Sequence, residues 1–267
     1  MKQISILGCG WLGLPLAKSL LAKGYLVKGS TTSLEKMGVL DQVGIDAFQI
    51  ELSATTMIGE VNSFLKNSEI LIIDIPPKLR STSTENFVAK IQTLIPFIEQ
   101  AKIQKVIFVS STSVFADDNS IITEETTPNP DNESGKQLWQ VEQLLQYNKN
   151  FKSTNVRFGG LIGEDRHPIH FLAGRKEIEN RDAPINLIHQ TDCIAILEQI
   201  IKADCFGETF NAVAPFHPTR KEYYTQKAVA LNLALPEFIE NKISLGKTIL
   251  SDKLVNILGY EFQNKTL

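Results

Sequence analysis

The sequence has few of the residues that build covalent or metal-bound frameworks. Its 267 residues include three cysteines, Cys9, Cys193 and Cys205, an odd number, far apart, with no CxxC and no Cys/His spacing. This pattern argues against a disulfide scaffold or a zinc module and predicts free thiols in a reducing compartment. Cys9 reads as a small space-filling residue. Histidines number four, and His167 and His170 lie three apart without an acidic or cysteine partner at metal spacing, so no metal is expected. No apolar run approaches the roughly 20 residues of a membrane span, and no basic-then-apolar leader precedes the first predicted strand. The expectation is a cytoplasmic protein with no membrane partner. Neither sign of charge dominates: 27 basic and 30 acidic residues leave a net charge of −3, which removes the electrostatic case for nucleic acid. Repeats, linkers and low-complexity tracts are also missing. At 43% apolar and 21% charged the chain reads as globular, one large or two small domains with ample core.

What is present is concentrated at the beginning. A short apolar run, Ile4, Ile6 and Leu7, ends at Gly8, and Leu12, Leu16 and Leu20 follow at helical spacing, with Gly24 closing the helix. Strand, glycine turn and helix therefore follow one another directly. The spacing Gly8, Gly10, Gly13 is the GxGxxG of a dinucleotide-binding crossover, in which each glycine has its own job. Gly8 allows the tight turn, Gly10 lets backbone approach a pyrophosphate, and Gly13 lets the helix sit against the sheet. The amides around Trp11 and Leu12 and the helix N-terminus would hold the phosphates.

The rest of the chain alternates between strand and helix patterns. Strands are predicted at 25–30, 47–52, 70–73, 105–109, 155–158 and 209–213; helices at 34–43, 61–65, 86–102, 136–147, 192–202 and 221–233. The unbroken aliphatic runs at 70–73 and 105–109 are those of buried parallel strands. Pro96 is expected to kink or divide its helix, and residues 116–135 read as a long surface loop. A basic, leucine-spaced stretch covers 242–258. The fold class is α/β, a doubly wound parallel sheet. Residues 1–160 with the returning elements 186–213 are the expected dinucleotide-binding domain, and 161–185 and 214–267 a smaller substrate-binding lobe.

The second strand ends Ser30, Thr31, Thr32, Ser33, and the first acid after Gly13 is Glu35, so the position that selects NAD through a ribose hydroxyl lacks a carboxylate. These hydroxyls, with Lys36 nearby, favour the 2′-phosphate of NADP over NAD, although small residues at a strand end are also ordinary turn chemistry. Ile75 and Pro76, after the fourth sheet strand, are expected to pack against the cofactor.

Several blocks together resemble the extended short-chain dehydrogenase/reductase superfamily, in particular its atypical YeeZ-like group of NAD-dependent epimerase/dehydratase-like proteins. They are Gly8 to Gly13, Val109 Ser110 Ser111 Thr112 Ser113 Val114 Phe115, the segment 124–130, Val156 Arg157 Phe158 Gly159 Gly160 Leu161 Ile162 Gly163, and Ile185 Asn186 Leu187 Ile188 His189 Gln190 Thr191 Asp192. The resemblance spans nearly the whole chain. It implies a Rossmann-type sheet and an NAD(P)-linked oxidoreductase or epimerase acting on a small polar, sugar-nucleotide-like substrate, as a monomer or homodimer. It also implies that Ser111, in the Ser/Thr slot, polarises a substrate oxygen. The Tyr-x-x-x-Lys pair of that superfamily does not match: aligning Val141 Glu142 Gln143 puts Ser134 in the tyrosine slot and Leu138 in the lysine slot. Lys136 is turned by about 200° from Ser134's helix face. A literal Tyr223-to-Lys227 pair lies after the last predicted sheet strand and reads as a decoy.

Replacement groups remain open. Glu124 and Glu125 are candidate acids or bases, against the reading of solvated loop carboxylates. Asn186, His189 and Asp192 form a polar set that is catalytic or a contact between parts of the chain. Arg166 and Arg175 would clamp a ligand anion or stand as solvated surface. The function classes left are an oxidoreductase or epimerase with a rearranged proton relay, and a dinucleotide-binding sensor or scaffold without hydride chemistry.

Overall fold

Runs of aliphatic residues set the centre of the molecule. In the computed structural model, which describes residues 2–77 and 86–266, Ile4, Ile6, Leu7, Ile70, Leu71, Ile72, Ile73, Val106, Ile107 and Phe108 are at most 1% exposed. They belong to a sheet of seven strands: β1 (Gln3–Leu7), β2 (Leu26–Thr31), β3 (Asp46–Gln49), β4 (Ile70–Ile73), β5 (Lys105–Ser111), β6 (Lys152–Phe158) and β7 (Thr209–Ala212). The order is β7-β6-β5-β4-β1-β2-β3 and every neighbouring pair is parallel. This is the doubly wound α/β arrangement, its order reversing between β1 and β4.

Both faces are covered, as a parallel sheet requires. Alternate residues of β4 go to opposite sides, Ile70 and Ile72 to one core and Leu71 and Ile73 to the other. The first core is closed by α1 (Gly13–Ala22), through Leu16 and Leu20, and by a C-terminal-half helix, residues Gln190–Lys202, through Ile196, Leu197 and Ile200. The second is closed by Phe87–Gln100, through Ile91, Leu94 and Ile98, and by Glu133–Gln146, through Leu138, Val141 and Leu145. With α2 (Leu34–Gln42) and α3 (Val61–Leu65) preceding them, these two helices are α4 and α5, Ile169–Leu172 is α6, Gln190–Lys202 is α7, Arg220–Ala230 is α8 and Asp252–Leu258 is α9.

A third, smaller cluster gathers Ile162, Ile169, Leu172, Ile178, Ile185, Leu187, Tyr223, Tyr224 and Ala228. The chain beyond it returns to the sheet: Leu254, Leu258, Tyr260 and Phe262 join the first core and Ile249 the second.

Four local expectations change. Pro96 does not divide α4: it and Gln92, whose carbonyl loses its amide partner, both lie on the exposed face, where water supplies the missing bond. Helix α5 starts at Glu133 instead of 136, because the Asn132 side chain caps the Gly135 amide at 2.9 Å, an interaction worth about 1 kcal/mol. The loop before it is not all irregular, since Ile121–Ile122 pairs in parallel with Thr248–Ile249. The predicted third strand also stops at Gln49, and Glu51–Leu52 pairs separately with Met57–Ile58.

Candidate functional site

Open α/β sheets bind ligands outside the carboxyl ends of their strands where the order reverses, which here is the crevice between β1 and β4. The glycine turn fills that place. Gly8 has φ +106°, and a Cβ on it would run into the Asp74 carbonyl; a Cβ on Gly13 would run into the Gly8 carbonyl. Both are glycines for reasons internal to the protein. Gly10 differs: among the described residues a Cβ there meets no atom within 4 Å. The end of β2 holds the turn, the Ser30 hydroxyl accepting from the Gly8 amide at 3.0 Å and the Ser30 carbonyl accepting from the Cys9 amide at 2.7 Å. The Gly10 amide donates to the Gly8 carbonyl at 2.8 Å. The amides of Trp11 and Leu12 donate to no acceptor among the described residues. Two backbone donors and an open cradle at the N-terminus of α1 are the equipment of a phosphate site, so these residues fit a dinucleotide.

Asp74 sits under this turn and was not singled out from the sequence. It is the residue directly after β4, its amide donating to the Leu7 carbonyl at 2.9 Å. Although part of its surface is open, its carboxyl is enclosed beside Gly13. Burial pushes its pKa up to about 8, against the lowering effect of the Gly13 amide. The available signal was an acid ending an otherwise aliphatic strand, immediately before Ile75 and Pro76. Ile75 is half-buried, its Cγ2 2.9 Å from where a Gly8 Cβ would stand, and Pro76 is exposed. Cys9 is buried, its thiol pushed up to about 12 by burial and then by Asp74, so it stays a neutral thiol.

At the end of β2, Ser30 and Thr31 are buried and each hydroxyl accepts a local amide, Thr31 from Ser33 at 3.2 Å. Thr32 and Lys36 are exposed.

Ser111 ends β5, paired in register with Phe158, half-buried, its hydroxyl accepting the Ser113 amide at 3.2 Å. On α5, Ser134 lies in the first turn, Leu138 is buried in the second core and Lys136 is exposed. Beneath Ser111 the structure places a buried ion pair that the sequence did not reveal. Arg157 Nε lies 3.0 Å and 3.1 Å from the two Glu142 oxygens and its Nη2 lies 2.6 Å from Oε2, while Ser110 donates to Oε1 at 2.6 Å. The guanidinium lies between the rings of Phe115 and Trp139, at 5.0 and 5.7 Å.

Tyr223 and Lys227 lie on α8, and Tyr223 belongs to the third cluster. The Tyr223 hydroxyl bonds His167 Nε2 at 2.9 Å, and burial raises its pKa, the opposite of what a proton relay needs. His167 itself is pushed down to about 4, first by burial and then by Lys227 and His170. Glu124 accepts the Asn211 amide of the edge strand β7 at 2.9 Å, which covers an otherwise open sheet edge; burial raises its pKa. Asn186 clamps Lys247 and Ile249, while buried Asp192 accepts from the Tyr260 hydroxyl at 2.6 Å and the Gln263 amide at 2.8 Å. Asn186 and Asp192 thus tie down the C-terminal portion of the chain, whereas His189 caps α7 through the Thr191 amide. Among the described residues no helix is long and apolar enough to cross a membrane.

No family model matches the chain. Among solved structures, MoeE5 in complex with UDP-glucuronic acid and NAD superposes with a TM-score of 0.80 at 17% identity, over 98% of this chain and 94% of that one. A protein described as a putative NAD-dependent epimerase/dehydratase from Methylobacillus flagellatus gives 0.78 at 25% identity, over 99% of this chain and 94% of that one. Both likenesses cover the whole fold described above. Protein YeeZ of Escherichia coli K12 is 34% identical over 269 residues, covering 98% of this chain and 96% of that protein. Match over nearly the full length of both sequences, on an extended short-chain dehydrogenase/reductase fold, leads to one conclusion: the chain belongs to the YeeZ family.

Proposed function

We propose that the protein binds a nicotinamide dinucleotide at the glycine turn and acts as an oxidoreductase or epimerase-like enzyme on a small polar, sugar-nucleotide-like substrate. The observation that carries this is the pair of amides, Trp11 and Leu12, that have no partner among the described residues, beside the cradle at Gly10. Trp11, Leu12 and Gly10 to Gly13 hold the pyrophosphate, and Ile75 and Pro76 flank the cofactor. Thr32, with Lys36, supplies a hydroxyl and a cation for a 2′-phosphate, while Ser30 and Thr31 shape the strand end; absence of a β2 carboxylate favours NADP over NAD. A nicotinamide held there supplies hydride exchange. Ser111 donates a hydrogen bond to the substrate oxygen, and residues 161–185 and 214–267, built around the third cluster, supply the substrate lobe. The two MoeE5 and epimerase/dehydratase likenesses support a cofactor and substrate of this class.

A specific observation favours a second reading, a dinucleotide-binding sensor or scaffold without hydride chemistry. Leu138 fills the lysine slot from inside the core, and Ser134 is too short for the tyrosine's task. Calorimetric titration with NADPH and, separately, NADH tests the shared step: tight binding is expected, NADPH the tighter. Binding of neither, by folded protein free of copurified nucleotide, overturns both readings. Screening sugar nucleotides with the bound cofactor then separates them. Any turnover found is expected to fall about 100-fold in Ser111→Ala; unchanged turnover removes Ser111 from the chemistry.

A further inference from the structure

We infer that Arg166, presented over the glycine turn by Trp11, is a second phosphate-binding group of the dinucleotide site, resting on the dinucleotide reading above. No basic residue occurs from Gln3 to Ala17, so the turn supplies amides and a helix dipole of about half a charge but no cation. A pyrophosphate carries two negative charges. The structure brings one guanidinium to the turn from elsewhere.

Trp11 is engaged at every polar or aromatic position except its amide. Its indole Nε1 donates to Asp165 Oδ1 at 2.8 Å, and its carbonyl accepts from Gln190 Nε2 at 2.6 Å. The ring lies against Gly163, where a Cβ would stand 2.8 Å from Cζ2, so a larger residue at 163 would displace it. Arg166 stacks on that ring at 4.9 Å. Its backbone is fixed by reciprocal bonds with Gly163, at 2.8 and 3.2 Å.

The guanidinium itself forms no ion pair and no hydrogen bond among the described residues, although Glu164 and Asp165 are its neighbours. Asp165 is committed to the indole. Stacking uses the face of a guanidinium and leaves its in-plane N–H fork available, the geometry that suits phosphate oxygens. A planar cation with open donors thus stands on the same residue whose amide is open, and the anion that both favour is the pyrophosphate. In this arrangement Asp165 and Trp11 are positioning residues for Arg166. Dinucleotide binding would also fasten the 163–166 turn of the substrate lobe to the glycine turn.

The experiment is calorimetric titration of wild type, Arg166→Gln, Arg166→Lys and Trp11→Phe with the dinucleotide that wild type binds, with ADP, and with adenosine. Arg166→Gln is expected to weaken dinucleotide and ADP about 10- to 100-fold and to leave adenosine unchanged. Its affinity should also fall less steeply with added salt. Arg166→Lys should recover part of the loss, and Trp11→Phe, which keeps the ring but not the Asp165 bond, should lose less than Arg166→Gln. Arg166 is exposed, so an unchanged thermal midpoint is expected for its variants. Wild-type affinity in Arg166→Gln overturns the inference alone. An equal loss for adenosine also overturns it, because the role is then structural. Failure of wild type to bind any dinucleotide overturns the reading of the site and this inference with it.

Discussion

The two ends of the crevice treat their polar groups in opposite ways. At the glycine turn, among the described residues, the backbone donors of Trp11 and Leu12 have no acceptor and nothing stands against Gly10. At the β5–α5 end, polar groups are consumed inside the protein: Ser110, Glu142 and Arg157 bond one another, Leu138 is core, and Ser111 accepts a neighbouring amide. On the proposed reading, the difference makes binding and chemistry separable. An anion site made of main-chain amides survives any side-chain change that leaves the turn intact, whereas a proton relay depends on two or three side chains and vanishes with them.

Removing the Glu142 carboxylate attacks the second end. Glu142→Ala leaves the Arg157 guanidinium, 3% exposed, without its acceptor, and loss of one partner of a buried pair costs about 3–5 kcal/mol. Denaturant unfolding should show that loss, while dinucleotide affinity measured under native conditions stays at the wild-type value. An affinity that falls in step with stability would mean that the two ends are one unit. The reciprocal variant is Gly10→Val. A Cβ at Gly10 meets none of the described residues, so stability should hold within about 0.5 kcal/mol, while dinucleotide affinity falls about 100-fold or more because the valine occupies the phosphate approach. Undiminished binding would show that the site lies elsewhere.

The parallel sheet and the glycine turn were legible because they rest on local patterns: aliphatic runs, helical spacing and three glycines. Boundaries slipped where a side chain outside the pattern decided them, as with the Asn132 cap that starts α5 three residues early. The β5–α5 end was legible only in what it lacks. Glu142 and Arg157 are 15 residues apart in sequence and each looks like ordinary helix or strand surface; only β6 packing under α5 brings them together. Glu124 looked like a candidate acid and proved to guard the amide of Asn211, a contact between residues 87 apart. Asp74 was hidden for the same reason, its surroundings being set by a turn more than sixty residues earlier.

Asp74 supplies the smallest of these effects and the one that ties the glycine-turn end to pH. Its ordinary carboxyl pKa of 3.8 applies in the unfolded chain, and enclosure raises it to about 8 in the fold. Between those values the folded state keeps a proton that the unfolded state has released. Stability therefore declines as pH rises from about 4 to 8 and levels off above. Asp74→Asn removes that slope. Part of the gain is cancelled because the added NH2 needs an acceptor in the same enclosed space, leaving a net stabilisation of roughly 1–3 kcal/mol at pH 7.5 and little at pH 4. Thermal unfolding at the two pH values measures it, and parallel pH profiles for variant and wild type would rule out the buried proton. The same proton bears on binding. A neutral Asp74 leaves the turn's amides to the phosphates, whereas an ionised one places a negative charge beneath them. Wild-type dinucleotide affinity should therefore weaken above pH 8 while that of Asp74→Asn does not, and a shared decline would trace the pH dependence to another group.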